Sequence, residues 1–521
     1  MYKKFCAIFL GICLSMMAVG CGNASSGNSS SSSDKSKLTV AINGDMGTLD
    51  PGGTMDNMAV KITYPAYERL VKFDGESTNI KPSLASKWEK SSDGLTWTFH
   101  LDKGHKFVDG TEVTSEAVRF SFQRILDIKK GPYDTYKIIK SINTPDKYTV
   151  QFVLSGEFPQ FLSTLATNYG SIINPKVMSH EKDGDKAQNY LANHTDGSGP
   201  YQLAEWKKGA YLKLTLNPNY SKKPSLKEVY FKLVSDPSAA RLELEKGDSD
   251  IAEGIDLDQI EKLKSNSNIS IVKKPSLLVD YVYINCTKAN PALKNPKVRQ
   301  AINYGIDYNS IIDKVMHGYA TPLASPVPKG LWGYNESAFK YTRNVAKAKA
   351  LLKEAGVNNL QLTLLYSDRF PNWEQEALVV QGNLQDIGVK VNLSKVAYAT
   401  MRDMLDSGKF DLAMGVWSPD YADPYMFMNY WFDSNNQGLA GNRAFYVNPQ
   451  VDSLVRKAGS ITDQAQREDL YKQAQKIVIE DAPYIYLYQK DFMLPINKDI
   501  KGFVYNPMLE GVYNLDEMSK Q

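Results

Sequence analysis

Residues 360–417 read "LQLTLLYSDRFPNWEQEALVVQGNLQDIGVKVNLSKVAYATMRDMLDSGKFDLAMGVW". Three runs, 360–366, 389–396 and 410–417, have the alternating, β-branched and aromatic character of strands. Between them, 376–388 and 398–409 carry helical periodicity. Strand–helix–strand–helix–strand predicts an α/β lobe around a central sheet, whose ligand cleft would lie beyond strand ends. Immediately afterwards, "SPDYADPYMF" (418–427) concentrates acids, prolines and aromatics in ten residues. Such a stretch is either a surface loop or the edge of that cleft.

Upstream, "KLTVAIN" (37–43) reads as a strand ending in the turn-rich "GDMGTLDPGG" (44–53). "LTWTFHLDKGHKFVDGTEVT" (95–114) predicts a strand, a glycine turn and a short strand. "TSEAVRFSFQRILD" (114–127) predicts a helix capped from its Thr/Ser start with Glu116 following, and "KYTVQFVL" (147–154) another strand. "GSGPYQLAEWKKGAYLKLTLNPNY" (197–220) suggests a β-hairpin, and "EVYFKLVSDPSAARLELEKGDSDIAEGI" (228–255) a strand, helix and strand. Stretches 295–316 and 344–356 are helical in period, and no internal repeat is apparent.

With 521 residues, two or three domains are expected. Hydrophobic content of 42% and charged content of 23% are ordinary for a globular protein. A net charge of only +3, with basic residues dispersed, gives no footprint for nucleic acid. Tyrosines outnumber phenylalanines 31 to 19, which suits a polar cleft or any extracellular surface. No catalytic signature is found: His100, His105, His180, His194 and His317 form no metal-ligating pair, and G-x-S-x-G, P-loop and paired-cysteine motifs are missing from the sequence. The expectation is therefore no enzyme, no cofactor and no metal.

The N-terminus indicates export. Lys3 and Lys4 precede an apolar run, Phe5 to Val19, too short to span a membrane and suited to a signal peptide over 1–20. "AVGC" ending at Cys21 resembles the lipobox of bacterial lipoproteins, departing from it by Ala18 where leucine is usual. The resemblance implies lipidation of Cys21, followed by a Gly/Ser-rich tether over 21–37 and attachment to the membrane through lipid alone. A plain signal peptide with an incidental cysteine is the alternative. Beyond these segments only Cys286 remains, so no intramolecular disulfide can form.

Taken in order, "TLDP" (48–51), 84–126, "GSGPYQLAEW" (197–206), 295–322, "AKALLKEAG" (348–356), "DIGVKV" (386–391) and "GKFDLAMGVWSPDYADP" (408–424) resemble the bacterial extracellular solute-binding proteins of family 5, the peptide/nickel class, and most of all its dipeptide- and oligopeptide-binding lipoproteins. The resemblance covers nearly everything after the tether. It implies an α/β two-lobed architecture of the periplasmic-binding-protein-like type II (cluster C): lobe I from 38–66, 190–277 and 492–521, an inserted domain II over 67–189, and lobe III over 278–491, hinged against lobe I. It further implies a monomer at the outer face of the cell membrane, of the Gram-positive lipoprotein type, that passes di- or oligopeptides to the permease and ATPase subunits of an ABC importer. The same scaffold elsewhere takes nickel complexes, haem, opines or oligosaccharides, and a peptide-signal receptor would use the same physics.

A free peptide carries an ammonium, a carboxylate and a repeating amide, and each buried charge needs an opposite partner. By resemblance, Asp420 meets the ammonium, Val416 to Ser418 offer backbone for strand-like pairing, and Trp417 walls the cleft. Asp423, just before Pro424, is a rival that instead suits a turn or helix cap. Some oligopeptide binders place an arginine six residues before this aspartate, where this chain has Met414; dipeptide binders use an arginine from an earlier loop, matched by Arg369. Arg369 is thus a candidate clamp for the carboxylate, against an ordinary exposed arginine at a helix start. Tyr398, Leu278 and the stretch from Thr54 to Asn57 match regions that line side-chain pockets or contact the main chain.

Overall fold

The computed structural model describes residues 34–521. The expectations for the signal peptide and Cys21 fall outside the described residues. Among those described, no helix is long and apolar enough to cross a membrane.

One mixed sheet of 11 strands organises the chain. In chain order its strands are β1 (Lys37–Ile42), β2 (Tyr201–Lys207), β3 (Tyr211–Leu216), β4 (Glu228–Leu233), β5 (Ile251–Ala252), β6 (Ile269–Ile284), β7 (Ala320–Pro322), β8 (Gln361–Tyr366), β9 (Lys390–Lys395), β10 (Leu412–Trp417) and β11 (Tyr484–Asn497). The spatial order is β9-β8-β10-β6-β11-β5-β1-β4-β3-β2, with β7 added to β11. β2 and β3 form the expected hairpin. β8 runs parallel to both β9 and β10, as their intervening helices Trp373–Asp386 and Tyr398–Ser407 require.

Two strands are long enough to serve both halves of the sheet. β6 has 16 residues, roughly 50 Å of extended chain. It pairs antiparallel with β11 from Ile269–Asn497 at one end to Tyr283–Tyr484 at the other. Its register breaks between Pro275 and Val279. Proline cannot donate to a ladder, so a bulge is the natural way to carry it through a central strand, and bulges re-aim neighbouring side chains.

The first half has its own core, built from Leu38, Val40, Ile62, Tyr201, Phe231, Ile251, Leu494 and Leu515 among others, so the C-terminal segment packs with the N-terminal strand. A separate four-stranded antiparallel sheet joins Ala85–Lys90, Thr96–Leu101, Thr149–Leu154 and Ile139–Asp146. Its helix, Ser115–Ile128, packs Phe122 edge-on against Tyr136 and Phe152, both at 4.9 Å.

Several local expectations need correction. The short strand foreseen near 106–112 is only an isolated bridge, Lys106 to Glu112. Thr114 does precede the helix, but its side chain makes no capping bond; Glu116 binds Arg119 and Thr144 instead. The "TLDP" stretch earns its place structurally. Asp50 accepts two bonds from Arg124, at 2.8 and 2.7 Å, in a fully buried pair that fastens this loop to the Ser115–Ile128 helix. Gly197 lies so near Ala66 that a Cβ would meet its carbonyl oxygen at 2.2 Å, so the "GSGP" turn tolerates no side chain there.

Candidate functional site

The parallel arrangement of β8, β9 and β10 sends their C-terminal ends to one side of the sheet. Arg369, Tyr398 and the loop 418–424 each follow one of these strands, so all three emerge on the same side of the sheet. β10 pairs with β6 over its full length, from Leu412–Ile284 to Trp417–Val279. On its other edge, β8 reaches only Leu412 and Ala413. From Met414 to Trp417 that edge has no strand partner among the described residues. An unpaired edge offers amides and carbonyls to an extended chain. Gly415 allows β10 to lie this close, since a Cβ there would sit 2.3 Å from the Tyr281 ring.

A cleft of about 800 Å³ opens where this edge ends, at Ser418; Asp420 is not among the residues that line it. It is lined from the first half of the sheet by Asn57, Lys61, Glu253 and Glu510, and from the second by Asn372, Gln375 and Ser418. The two long strands contribute Ser276, Leu278 and Lys490, so the bulge of β6 opens directly onto it.

The two aspartates of the loop have opposite fates. Asp423 is buried and accepts two bonds from Arg467, each 2.8 Å, plus one from the Tyr425 amide at 2.9 Å. Burial raises its carboxyl while the Arg467 charge opposes the rise. It is consumed in fastening the Tyr425–Phe432 helix to the Gln464–Asp481 helix. Asp420, half-buried, has no hydrogen-bond or ion-pair partner among the described residues. Burial alone pushes its carboxyl up to about 6. The hydroxyls of Tyr169, Tyr421 and Tyr430 feel its charge; that of Tyr430 is raised to about 12, first by burial and next by Asp420.

The loop is held rigid from both sides. Trp332 Nε1 donates to the Ala422 carbonyl at 3.1 Å, and the Ala422 amide donates to Ser163 Oγ at 2.9 Å. Phe158 meets Tyr421 edge-on at 6.1 Å. Asp420 is therefore an unpaired carboxylate on a preorganised support, which minimises the ordering cost of binding a cation.

Of the other sequence candidates, Ser418, Leu278 and Asn57 line the cleft. Val416 and Trp417 are half-buried on the edge strand, paired with Asp280 and Val279. Arg369 is exposed, makes no ion pair among the described residues, and lays its guanidinium 4.5 Å over the Tyr398 ring; neither residue lines the cavity, although Pro371 and Asn372 do. Thr54 does not line it either; its hydroxyl accepts from the Asp56 amide at 3.0 Å.

Sequence reasoning missed two buried carboxylates and the charged residues of the cleft wall. Glu376 is buried; its Oε1 accepts from the Tyr488 hydroxyl at 2.5 Å and from Asn372, while Oε2 has no partner among the described residues. Asp280, also buried, accepts from Trp373 Nε1 at 3.3 Å. Burial raises both carboxyls, and the Asp280 charge raises Glu376 further. Lys61 and Glu253 pair at 3.1 Å, with Tyr513 donating to Glu253 at 2.6 Å. A signal existed: "YIYLYQKDFML" (484–494) interrupts an apolar strand with Lys490, an expensive position for an unneeded charge.

The profile of the bacterial extracellular solute-binding proteins, family 5, matches residues 79–438. The chain belongs to this family. Its members are solute-binding proteins rather than enzymes, and its fold is the α/β type II periplasmic-binding-protein fold. The "Probable D,D-dipeptide-binding periplasmic protein DdpA" of Escherichia coli K12 is 46% identical over 491 residues, 93% of this chain and 95% of that protein. Heme-binding protein A of Haemophilus influenzae is 31% identical over 468 residues, 85% of this chain and 84% of that protein. Among solved structures, the periplasmic binding protein DppA of Helicobacter pylori in complex with the peptide STSA superposes with a TM-score of 0.77 at 28% identity, covering 93% of this chain and 98% of that one.

Proposed function

We propose that this protein captures short peptides, dipeptides above all, in the cleft between two hinged lobes and delivers them to an ABC importer. The observation that carries the reading is the unpaired, partly buried carboxylate of Asp420 at the end of an unpaired strand edge. The ligand's ammonium neutralises Asp420, and its amide pairs with the backbone of Val416 to Ser418. Trp417 bounds the side-chain space, Leu278 and Asn57 supply further wall, and the hydrated cleft accepts varied side chains. The D,D-dipeptide-binding relative at 46% identity and the peptide-bound structural neighbour support this class of ligand.

The lobes of this reading are 38–66, 190–277 and 492–521 on one side and 278–491 on the other, with 67–189 inserted; β6 and β11, which run through both halves, are the hinge. The receptor works as a monomer outside the cytoplasm, anchored by lipid at Cys21, although the relatives named above come from Gram-negative bacteria. Isothermal calorimetry with D-alanyl-D-alanine, its L,L isomer and their N-acetylated forms tests the reading. Free dipeptide should bind stoichiometrically and the acetylated forms far more weakly. Equal affinity for both would refute the ammonium site, and no binding of any peptide would refute the function.

A further inference from the structure

The ligand's other charge also needs a partner, and the cleft contains one that sequence comparison did not single out. Of its two lysines, Lys61 is engaged, 3.1 Å from Glu253 and 3.5 Å from the Gly511 carbonyl. Lys490 is half-buried, lines the cleft and makes neither an ion pair nor a side-chain hydrogen bond among the described residues. Its neighbours on β11 are all taken: Gln489 Nε2 donates to the Ser276 and Lys329 carbonyls at 2.5 and 2.8 Å, Asp491 pairs with Lys273 at 3.1 Å, and Tyr488 donates to Glu376. The Lys490 charge is felt at Asp280, Glu376 and Glu510, yet it contacts none of them.

Strand register fixes where this ammonium lies. Trp417, Val279 and Gln489 stand opposite one another across β10, β6 and β11. Just past these rungs, where the β6 bulge breaks the pairing and β10 has ended, Leu278, Lys490 and Ser418 all line the cleft. Two strand spacings put the Ser418 and Lys490 backbones on the order of 10 Å apart. Asp420 lies two residues beyond Ser418. A dipeptide spans about 7 Å from amino to carboxyl group at extended geometry, and a contact of about 3 Å at each end gives a charge separation of roughly 13 Å. A dipeptide is thus of the same order of length as the spacing between Ser418 and Lys490.

We infer that Lys490, with Ser418 and Gln375 lining the same cleft, receives the ligand's terminal carboxylate and so selects for ligands with a free acid. The inference rests on the peptide reading above. It differs from a clamp at Arg369, whose guanidinium is stacked on Tyr398 away from the cavity lining. A lysine is a compact point charge that tolerates several carboxylate geometries, which suits a receptor for varied dipeptides better than a rigid fork.

The test is calorimetry of the wild type, K490Q, K490R and R369Q with a dipeptide and its C-terminal amide. The wild type should bind the acid at least tenfold more tightly than the amide. K490Q should bind both equally, at the level of the wild type with amide, and that retained amide binding shows the variant is folded. K490R and R369Q should keep the preference for the acid. Preserved discrimination in K490Q, or its loss in R369Q alone, would overturn the inference while leaving peptide binding intact. A K490Q that binds neither form would also overturn it, since the ammonium site would then depend on Lys490. Failure of the wild type to bind either form would instead remove the peptide reading and this inference with it.

Discussion

Asp420→Asn isolates the ammonium site, because asparagine keeps the shape and removes the charge. Burial raises the Asp420 carboxyl from 3.8 to about 6. At about 1.4 kcal/mol per tenfold, that difference is at most about 3 kcal/mol, the cost of holding the ionised group there without a partner. An ammonium at Asp420 recovers this cost, and truncating one partner of a desolvated charge pair typically loses about 2–5 kcal/mol. D420N should therefore weaken dipeptide binding by about two orders of magnitude in calorimetry at pH 7.5. The sign of the pH dependence follows. Binding requires the ionised carboxylate, so the wild type should lose about tenfold in affinity between pH 7 and pH 5, while D420N should be flat over that range. Stability should move the other way. A raised carboxyl favours the fold below 3.8 and that favour is lost as the pH climbs through about 6, so ligand-free D420N should melt at a higher temperature than wild type at pH 7.5. A variant that binds normally, or that loses binding only because it melts lower, would refute the assignment.

Other perturbations separate structural from binding charges. D423A leaves the buried Arg467 guanidinium unpaired and should cost about 3–5 kcal/mol in denaturant unfolding; near-wild-type stability would show that the pair does not hold the loop. G415A drives a Cβ to 2.3 Å from the Tyr281 ring and should cost about 1–3 kcal/mol while shifting the strand edge, lowering both melting temperature and peptide affinity. Glu376, raised from 4.5 by burial and by Asp280, favours the fold while protonated. Stability should fall as the pH rises from about 4.5 through its raised value, and E376Q should flatten that slope in melts across pH. C21S should release the protein from the membrane fraction of cells that otherwise retain it.

The sequence by itself determined the local elements. Strand and helix alternation over 360–417 depends on side-chain period, which neighbouring residues alone set, and the structure places β8, β9 and β10 there with helices between them. The structural use of Asp423 was legible in part: just before Pro424 it accepts from the Tyr425 amide as a turn cap, whereas its pairing with Arg467, far along the chain, was not. What only the tertiary structure decided depends on register between strands far apart in the chain. Lys490 reaches the cleft because β11 meets β6 at particular rungs, and a one-residue slip would send it to the other face. Nothing local to "YQKDF" encodes that rung. The burial that raises Asp420, and the surroundings that leave Lys490 without a contact partner, exist only once the sheet has assembled.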